Sequence, residues 1–137
     1  MAFIEVLKLK DLKNGQSKLV NIKGNEIALY NVNGKIYATS NVCLHHKGSL
    51  AGGALNDNIV SCPLHGWQYD VINGSCKTVP GLKLKTFNVK IENEKILLDL
   101  WLVKFLNLGF NLFYMNNIKN REQLINLYIE FFKTHGH

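Results

Sequence analysis

Residues 41–70 read NVCLHHKGSLAGGALNDNIVSCPLHGWQYD, and this stretch decides both the fold and the site. It holds two pairs of soft-metal ligands. Cys43 and His45 are separated by one residue, and Cys62 and His65 are separated by two. Sixteen residues, three of them glycines, lie between His45 and Cys62. Each pair therefore comes from one tight loop, and a single metal site requires the two loops to meet.

Two kinds of metal site can be built from two thiolates and two imidazoles. A tetrahedral zinc site is one of them. Zinc fingers usually group ligands of one type, whereas here each loop contributes one cysteine and one histidine. That division suits a binuclear iron–sulfur cluster in which one iron is bound by both cysteines and the other by both histidines. A zinc-stabilised binding module without redox activity remains the alternative from another functional class.

The ligand spacing and the residues around it resemble the Rieske iron–sulfur family. CLHHKGSL at 43–50 is similar to the family's first cluster loop, and CPLHGWQYD at 62–70 to its second. NGSCKTVPG at 73–81 is similar to a later turn whose proline helps to shield the cluster. The resemblance covers residues 1–100. It implies an antiparallel β fold with one [2Fe–2S] cluster per chain at one tip, bound by Cys43, His45, Cys62 and His65.

Other cysteines and histidines are interpreted as non-ligands. His46 directly follows His45, but the family's one-residue spacing selects His45, and we expect His46 to point to the other side of the loop. Cys76 follows the second turn signal and is expected to be a buried small thiol. His135 and His137 lie at the end of the chain and are expected to face solvent.

The sequence departs from the family pattern at positions that bear on the redox potential. Respiratory members carry one more cysteine in each loop, joined as a disulfide, and the matching positions here are Gly48 and Leu64. A serine that donates a hydrogen bond is replaced by Trp67, while Tyr69 keeps the second donor position. Tyr69 either bonds to a ligand sulfur or packs in the core with its hydroxyl in water. We expect a potential of roughly −150 to 0 mV, in the lower part of the Rieske range.

Short strands separated by turns predict an all-β fold. Asn33-Gly34 and Asn73-Gly74 are hairpin signals, and Glu92-Asn93-Glu94 connects the last two predicted strands. Seven or more short strands at this spacing predict a small all-β sandwich or barrel. The resemblance implies that this antiparallel fold includes a cluster-binding subdomain. The predicted strands are residues 18–23, 26–32, 35–39, 66–71, 86–91 and 95–100.

Composition narrows the class of protein. The 137 residues, 47% of them apolar, are enough for one domain and a short appendage. The net charge of +6 is spread as single lysines without a nucleic-acid-binding motif, so no nucleic-acid partner is predicted. Three cysteines are an odd number for a disulfide framework, which favours metal ligation. The N-terminus lacks a secretory signal, so a cytoplasmic location is expected.

Residues 101–137 form an extension that the resemblance does not explain. WLVKFLNLGFNLFYM at 101–115 is apolar, but Lys104, Asn107 and Asn111 interrupt it and argue against a membrane span. From Asn120 the pattern is that of an amphipathic helix ending near Gly136. We predict that this helical extension packs on the β domain or forms a contact between copies of the chain.

The resemblance implies a one-electron carrier. Outside the two loops we found no histidine and carboxylate set for a second metal, so the chain is not expected to be an oxygenase subunit itself. A ferredoxin that passes electrons from a flavoprotein reductase to a terminal oxygenase is the leading hypothesis, making the chain an electron-transfer component rather than a stand-alone enzyme. The alternative with the same fold is the small subunit of an NADH-dependent nitrite reductase, a terminal reductase system.

Overall fold

A computed structural model describes residues 3–22 and 24–99 of the chain. The predicted extension 101–137, its helix, its boundary with the β domain, and His135 and His137 lie outside the described residues. The described part is built from short antiparallel strands, which confirms the all-β fold class. The strands are β1 (Phe3–Lys8), β2 (Ser17–Ile22), β3 (Asn25–Val32), β4 (Lys35–Ser40), β5 (Ala54–Asn56), β6 (Ile59–Ser61), β7 (Gln68–Asp70), β8 (Thr86–Phe87), β9 (Val89–Glu92) and β10 (Lys95–Asp99).

The strands form three sheets. Their orders are β1-β10-β9, β2-β3-β4-β8 and β5-β6-β7, and all neighbours are antiparallel. The first two sheets share one apolar core, which we call the base core. It contains the buried side chains of Leu12, Ile22, Ile27, Leu29, Ile36, Ala38, Phe87, Ile96 and Leu98.

Strand β3 is buried on both faces. Side chains alternate between the two faces of a strand. Accordingly, Ile27 and Leu29 belong to the base core, while Ala28 and Tyr30 belong to a second core, and all four are fully buried. This explains why residues 27–30 are continuously apolar rather than alternating with polar residues. Strand β3 is therefore the wall shared by the two cores.

The second core lies under the third sheet and is called the site core here. Leu55, Val60 and Tyr69 face it from paired positions on β5, β6 and β7. Its fully or nearly fully buried members are Ala28, Tyr30, Cys43, Leu50, Val60, Cys62, Tyr69, Val71, Cys76 and Leu84. The presence of all three cysteines in one core agrees with the predicted cluster-binding subdomain.

The hairpin predictions are confirmed to different degrees. Asn33 and Gly34 have φ of 54° and 91° and connect β3 to β4 in a two-residue turn, as predicted. Around Asn73-Gly74 the turn is longer, because Asp70 donates its N–H to the carbonyl of Ser75 (2.9 Å) and accepts the N–H of Gly74 (2.7 Å). The loop therefore spans residues 71–74.

The prediction of one strand over residues 86–91 is wrong. The segment forms β8, which pairs with β4, and β9, which pairs with β10 in another sheet. Asn88 lies between them, and its carbonyl accepts the N–H of Asp99 (3.1 Å). Most residues of the segment are typical of strands. The sequence pattern therefore does not indicate that the chain passes from one sheet to another here. Strands β1, β5 and β6 were not predicted at all.

Within the described ranges, no helix is long or apolar enough to cross a membrane.

Lys85 is half-buried beside the start of β8. Burial, and to a lesser extent the charge of Lys83, lowers the pKa of Lys85 to about 8. The folded chain therefore binds fewer protons than the unfolded chain between about pH 8 and the ordinary lysine value of 10.5. The contribution of Lys85 to stability rises as the pH increases through that window.

We expect Lys85→Met to raise the unfolding temperature at pH 7 by a few degrees, because the substitution removes a charge that folding desolvates. The gain should shrink as the pH rises from 8 to 10. Thermal unfolding at pH 7, 8.5 and 10 measures both effects. Lys18→Met, at an exposed position of β2, is the control. If the difference in unfolding temperature between Lys85→Met and the unsubstituted chain increases with pH, the prediction is contradicted.

Candidate metal centre

The first loop, residues 43–48, is closed by the peptide groups of its own cysteine. Cys43 donates its N–H to the carbonyl of Gly48 (2.9 Å) and accepts the N–H of Lys47 (3.1 Å). Lys47 has a φ of 57°, a left-handed conformation in which a residue other than glycine is uncommon. The loop therefore folds back tightly over Cys43.

The second loop, residues 62–67, repeats the same hydrogen bonds. Cys62 donates its N–H to the carbonyl of Trp67 (2.8 Å) and accepts the N–H of Gly66 (2.9 Å). Gly66 has a φ of 76° and occupies the position that Lys47 has in the first loop. The two loops are thus equivalent in backbone structure, although their histidines lie at different distances from the cysteine.

The two cysteines lie inside the protein and the histidines lie at its surface. Cys43 is 1% exposed and Cys62 is 4% exposed, and both are free thiols. His45 and His65 are exposed, with ring centroids 5.0 Å apart. The structure therefore brings the four predicted ligands to one tip, with sulfur on the inner side and imidazole on the outer side.

His46 lies at the same tip, contrary to expectation. Its ring centroid is 3.8 Å from that of His45 and 4.8 Å from that of His65, and ligand nitrogens of all three lie within 4.8 Å of one another. The expectation assumed that successive side chains alternate in direction. In a tight loop this rule of extended strands does not hold. Both His45 and His46 can therefore reach a metal at this tip.

The pKa shifts of Cys43 and His45 go in the direction that metal binding requires. Burial raises the pKa of the Cys43 thiol, but hydrogen bonds from the Tyr69 hydroxyl, loop N–H groups and the second thiol outweigh it, so this pKa is lowered. Desolvation, followed by the neighbouring imidazoles, lowers the pKa of His45. A thiolate and a neutral imidazole are the forms that bind metals.

Tyr69 forms the hydrogen bond that the sequence left open. Its ring is fully buried, and its hydroxyl lies 3.1 Å from the backbone nitrogen of Leu44 and 3.2 Å from Sγ of Cys43. Because the oxygen accepts the Leu44 N–H, the hydroxyl proton is available to the sulfur. Burial raises the pKa of Tyr69 above its usual range, with a further contribution from Cys43, so the hydroxyl remains a donor.

Gly48 has no side chain because the second loop occupies the space. A Cβ at this position would lie 2.7 Å from Sγ of Cys62 and 3.1 Å from Cγ of Leu64. Positions 48 and 64, where the resemblance places a disulfide in respiratory proteins, are therefore neighbours here and carry glycine and leucine. The absence of a side chain at Gly48 lets the sulfur of Cys62 approach the first loop.

Trp67 contacts the first loop from the end of the second. Its indole is stacked on the imidazole of His45, with ring centroids 4.4 Å apart and an angle of 9° between the planes. The sequence marked Trp67 only as the replacement for a serine donor. The stack joins residues that are far apart in the chain, so no local pattern could have predicted it.

A third segment, residues 76–82, covers β7. The N–H of Val79 lies 3.3 Å from Sγ of Cys76, and the thiol is buried, as expected. The N–H of Cys76 is bonded to the carbonyl of Leu82 (2.9 Å). The N–H of Lys77 is bonded to the carbonyl of Gln68 on β7 (2.7 Å). Cys76 thus stabilises the segment that contains the proline.

The donor set fits a cluster with mixed ligands. The sulfurs of Cys43 and Cys62 are buried in the site core, the imidazoles of His45 and His65 are exposed, and the Tyr69 hydroxyl and loop N–H groups donate to the sulfur of Cys43. Gly48 leaves space against Cys62. A binuclear cluster with one iron on the cysteines and one on the histidines needs this arrangement.

Comparisons with known proteins agree with this chemistry. The family model for the Rieske [2Fe-2S] domain matches residues 2–88. The ferredoxin component of the naphthalene 1,2-dioxygenase system of Pseudomonas putida is 39% identical over 99 residues, covering 72% of this chain and 95% of that protein.

Solved structures share the fold. A chain from the complex of reduced oxygenase and oxidized ferredoxin in carbazole 1,9a-dioxygenase has a TM-score of 0.66 and 28% identity, covering 70% of this chain and 91% of its own. A putative small subunit of an NADPH nitrite reductase has a TM-score of 0.64 and 21% identity. The match covers 72% of this chain and 99% of that one. At that identity the second structure shows only a common fold.

We expect Gly48→Ala to reduce the metal content of the purified chain severalfold, because the new Cβ would displace the sulfur of Cys62. Gly52→Ala is the matched control, since a Cβ there would meet nothing within 4 Å. Metal analysis of the two variants and the unsubstituted chain measures the effect. Equal metal content in all three would show that the space at Gly48 is not needed.

Proposed function

The chain belongs to the Rieske [2Fe-2S] domain family, and we propose that it is a one-electron carrier, a ferredoxin component that delivers electrons to a terminal oxygenase. Its cofactor is a Rieske-type [2Fe–2S] cluster. When bound, this cluster accepts and releases one electron. The observation that carries the proposal is the pair of buried thiols behind a pair of exposed imidazoles in a chain of this family.

The proposed ligands are Cys43 and Cys62 for one iron and His45 and His65 for the other. Their burial supports this assignment, because the thiols lie in the site core and the imidazoles lie at the tip. Family spacing supports His45 over His46. Each loop thus contributes one cysteine and one histidine to the proposed ligand set.

The residues around the proposed ligands give the site one side that is buried and one side that is exposed to solvent. Tyr30, Leu50 and Val60 belong to the core that keeps water from the thiols. Leu44 and Leu64, which are 40% and 57% exposed, lie next to the exposed histidines in the chain. A partner that docks on this tip would meet the imidazole edges directly. We therefore place electron entry and exit at His45 and His65.

The partners follow from the relatives. The carbazole dioxygenase structure contains an oxygenase and a ferredoxin in one complex, and the Pseudomonas relative is a component of a dioxygenase system. A terminal oxygenase is accordingly the proposed electron acceptor, and a flavoprotein reductase the proposed donor. The net charge of +6 suits an acidic docking surface, since opposite charge speeds encounter. A cytoplasmic location and a contact between copies through residues 101–137 remain predictions.

The two alternatives have less support. A nitrite reductase small subunit shares the fold, but at 21% identity that likeness carries no function. A zinc-stabilised module disagrees with the cofactor of the family to which the chain belongs.

The proposal is tested first by composition and then by electron transfer. After anaerobic purification we expect about two irons and two acid-labile sulfides per chain, and an EPR signal that appears only on reduction. The reduced protein should then be oxidised by a Rieske oxygenase in a stopped-flow experiment, and much more slowly by a nitrite reductase large subunit. Zinc without sulfide would refute the cofactor, and the opposite partner preference would refute the oxygenase.

Replacing the proposed outer ligand separates His45 from His46. We expect His45→Ala to abolish the visible absorption of the cluster, because the family spacing assigns the ligand in the first loop to His45 and not to His46. His46→Ala should retain it. Iron and sulfide analysis accompanies the absorption spectra of both variants. Loss of the cluster in His46→Ala alone would reassign the ligand to His46.

Tyr69→Phe tests the hydrogen bond to Cys43. Removing a donor from a ligand sulfur leaves more electron density at the cluster and opposes reduction, so the potential should fall by on the order of tens of millivolts. Protein-film voltammetry at neutral pH measures the shift. Tyr37→Phe, a partly buried tyrosine that packs on the site core, is the matched control. Equal potentials for Tyr69→Phe and the unsubstituted chain would assign Tyr69 to packing alone.

A further inference from the structure

Trp67 and His45 form a contact between the two loops that the proposed electron transfer does not by itself require. Trp67 is the last residue of the second loop, and His45 is the third residue of the first. Their rings are nearly parallel, 9° apart, at a centroid distance of 4.4 Å. The Trp67 side chain also packs against the site core, which anchors the indole. An anchored ring thus covers one face of an exposed imidazole.

We propose that Trp67 is a positioning residue for His45, whose indole fixes the plane of the imidazole and links the two loops. The inference rests on the proposed function, because it treats His45 as a ligand of the cluster. It concerns His45 and not His65, whose neighbouring rings, His45 and His46, lie at 80° and 51° to it.

The stack replaces an orienting hydrogen bond. Histidine ligands usually donate their second ring N–H to a carboxylate or a carbonyl, which fixes the ring. Among residues 3–22 and 24–99, no group is hydrogen-bonded to a ring nitrogen of His45. The adjacent His46 ring meets it at 69° and is itself exposed, so it offers no fixed plane. Trp67 is the anchored aromatic side chain in contact with this ring.

Fixing the ring matters because His45 is exposed. A surface side chain samples several rotamers, and binding a metal requires it to give up that freedom. An imidazole that is already held against an indole loses less freedom on binding. The two loops also lack a disulfide at positions 48 and 64, where glycine and leucine meet. The stack therefore contributes a noncovalent link at the tip.

The test compares two substitutions of Trp67, one that retains an aromatic ring and one that removes it. Trp67→Phe keeps an aromatic plane, whereas Trp67→Leu keeps apolar bulk without one. Leu19→Ala, which removes an exposed apolar side chain on β2 outside both loops, is the matched control. All are studied as the full chain purified anaerobically with its cluster, with a ferrous chelator as the probe of iron release.

We expect Trp67→Leu to release iron faster by on the order of tenfold, the lower end of the effect of losing an outer-shell partner of a metal ligand. Trp67→Phe should release iron at a rate close to that of the unsubstituted chain, and Leu19→Ala should match the unsubstituted chain. Pulsed EPR of the reduced protein resolves nitrogen couplings of the histidine ligands. In Trp67→Leu one coupling should broaden while the other remains unchanged, which general destabilisation of the fold would not produce.

Several outcomes would overturn the inference. Unchanged iron release and unchanged couplings in Trp67→Leu are one of them, and equal broadening of both couplings is another. If Trp67→Leu does not fold, Trp67→Phe decides, because rapid iron release despite a retained ring would contradict positioning by stacking. If the unsubstituted chain itself contains no iron and no sulfide, the proposed function fails, and this outcome is distinct from failure of the stack.

Discussion

The site depends on a backbone constraint that both loops satisfy in the same way. Cys43 and Cys62 each use their own N–H and carbonyl to close a six-residue loop. Closure holds the cysteine at the buried base and places the intervening residues at the tip. A buried sulfur and an exposed imidazole can therefore come from one short segment. The left-handed residue at the fifth position, Lys47 or Gly66, is what allows the chain to turn back.

The base core stabilises this arrangement through one strand. Strand β3 sends Ile27 and Leu29 into the base core and Ala28 and Tyr30 into the site core, and all are fully buried. Burial of large apolar side chains is the main favourable term in folding. Because both cores share this strand, the loops are supported by the whole domain even though each strand of the third sheet contains only three residues.

The two sides of the site have different chemistry because they have different solvent contact. On the inner side, Tyr69 donates to Cys43 in a region without water access, where a hydrogen bond has a large electrostatic effect. On the outer side, His45 and His65 remain exposed and are available to a partner. The indole of Trp67 lies between these regions, packed on the site core and stacked on His45. Tuning and electron exchange are thus separated in space.

The fold class and the Asn33-Gly34 hairpin could be predicted from the sequence, because they follow from turn residues and local periodicity. The four proposed ligands came from the spacing of cysteine and histidine together with the family resemblance, and they stay a prediction. The tertiary structure decided the rest: the change of sheet at Asn88, the hydrogen bond of Tyr69, the location of His46 beside His45, and the stack of Trp67. Most of these depend on contacts between residues distant in the chain. A local pattern records which residues are apolar or turn-forming, but not which distant partner they will meet.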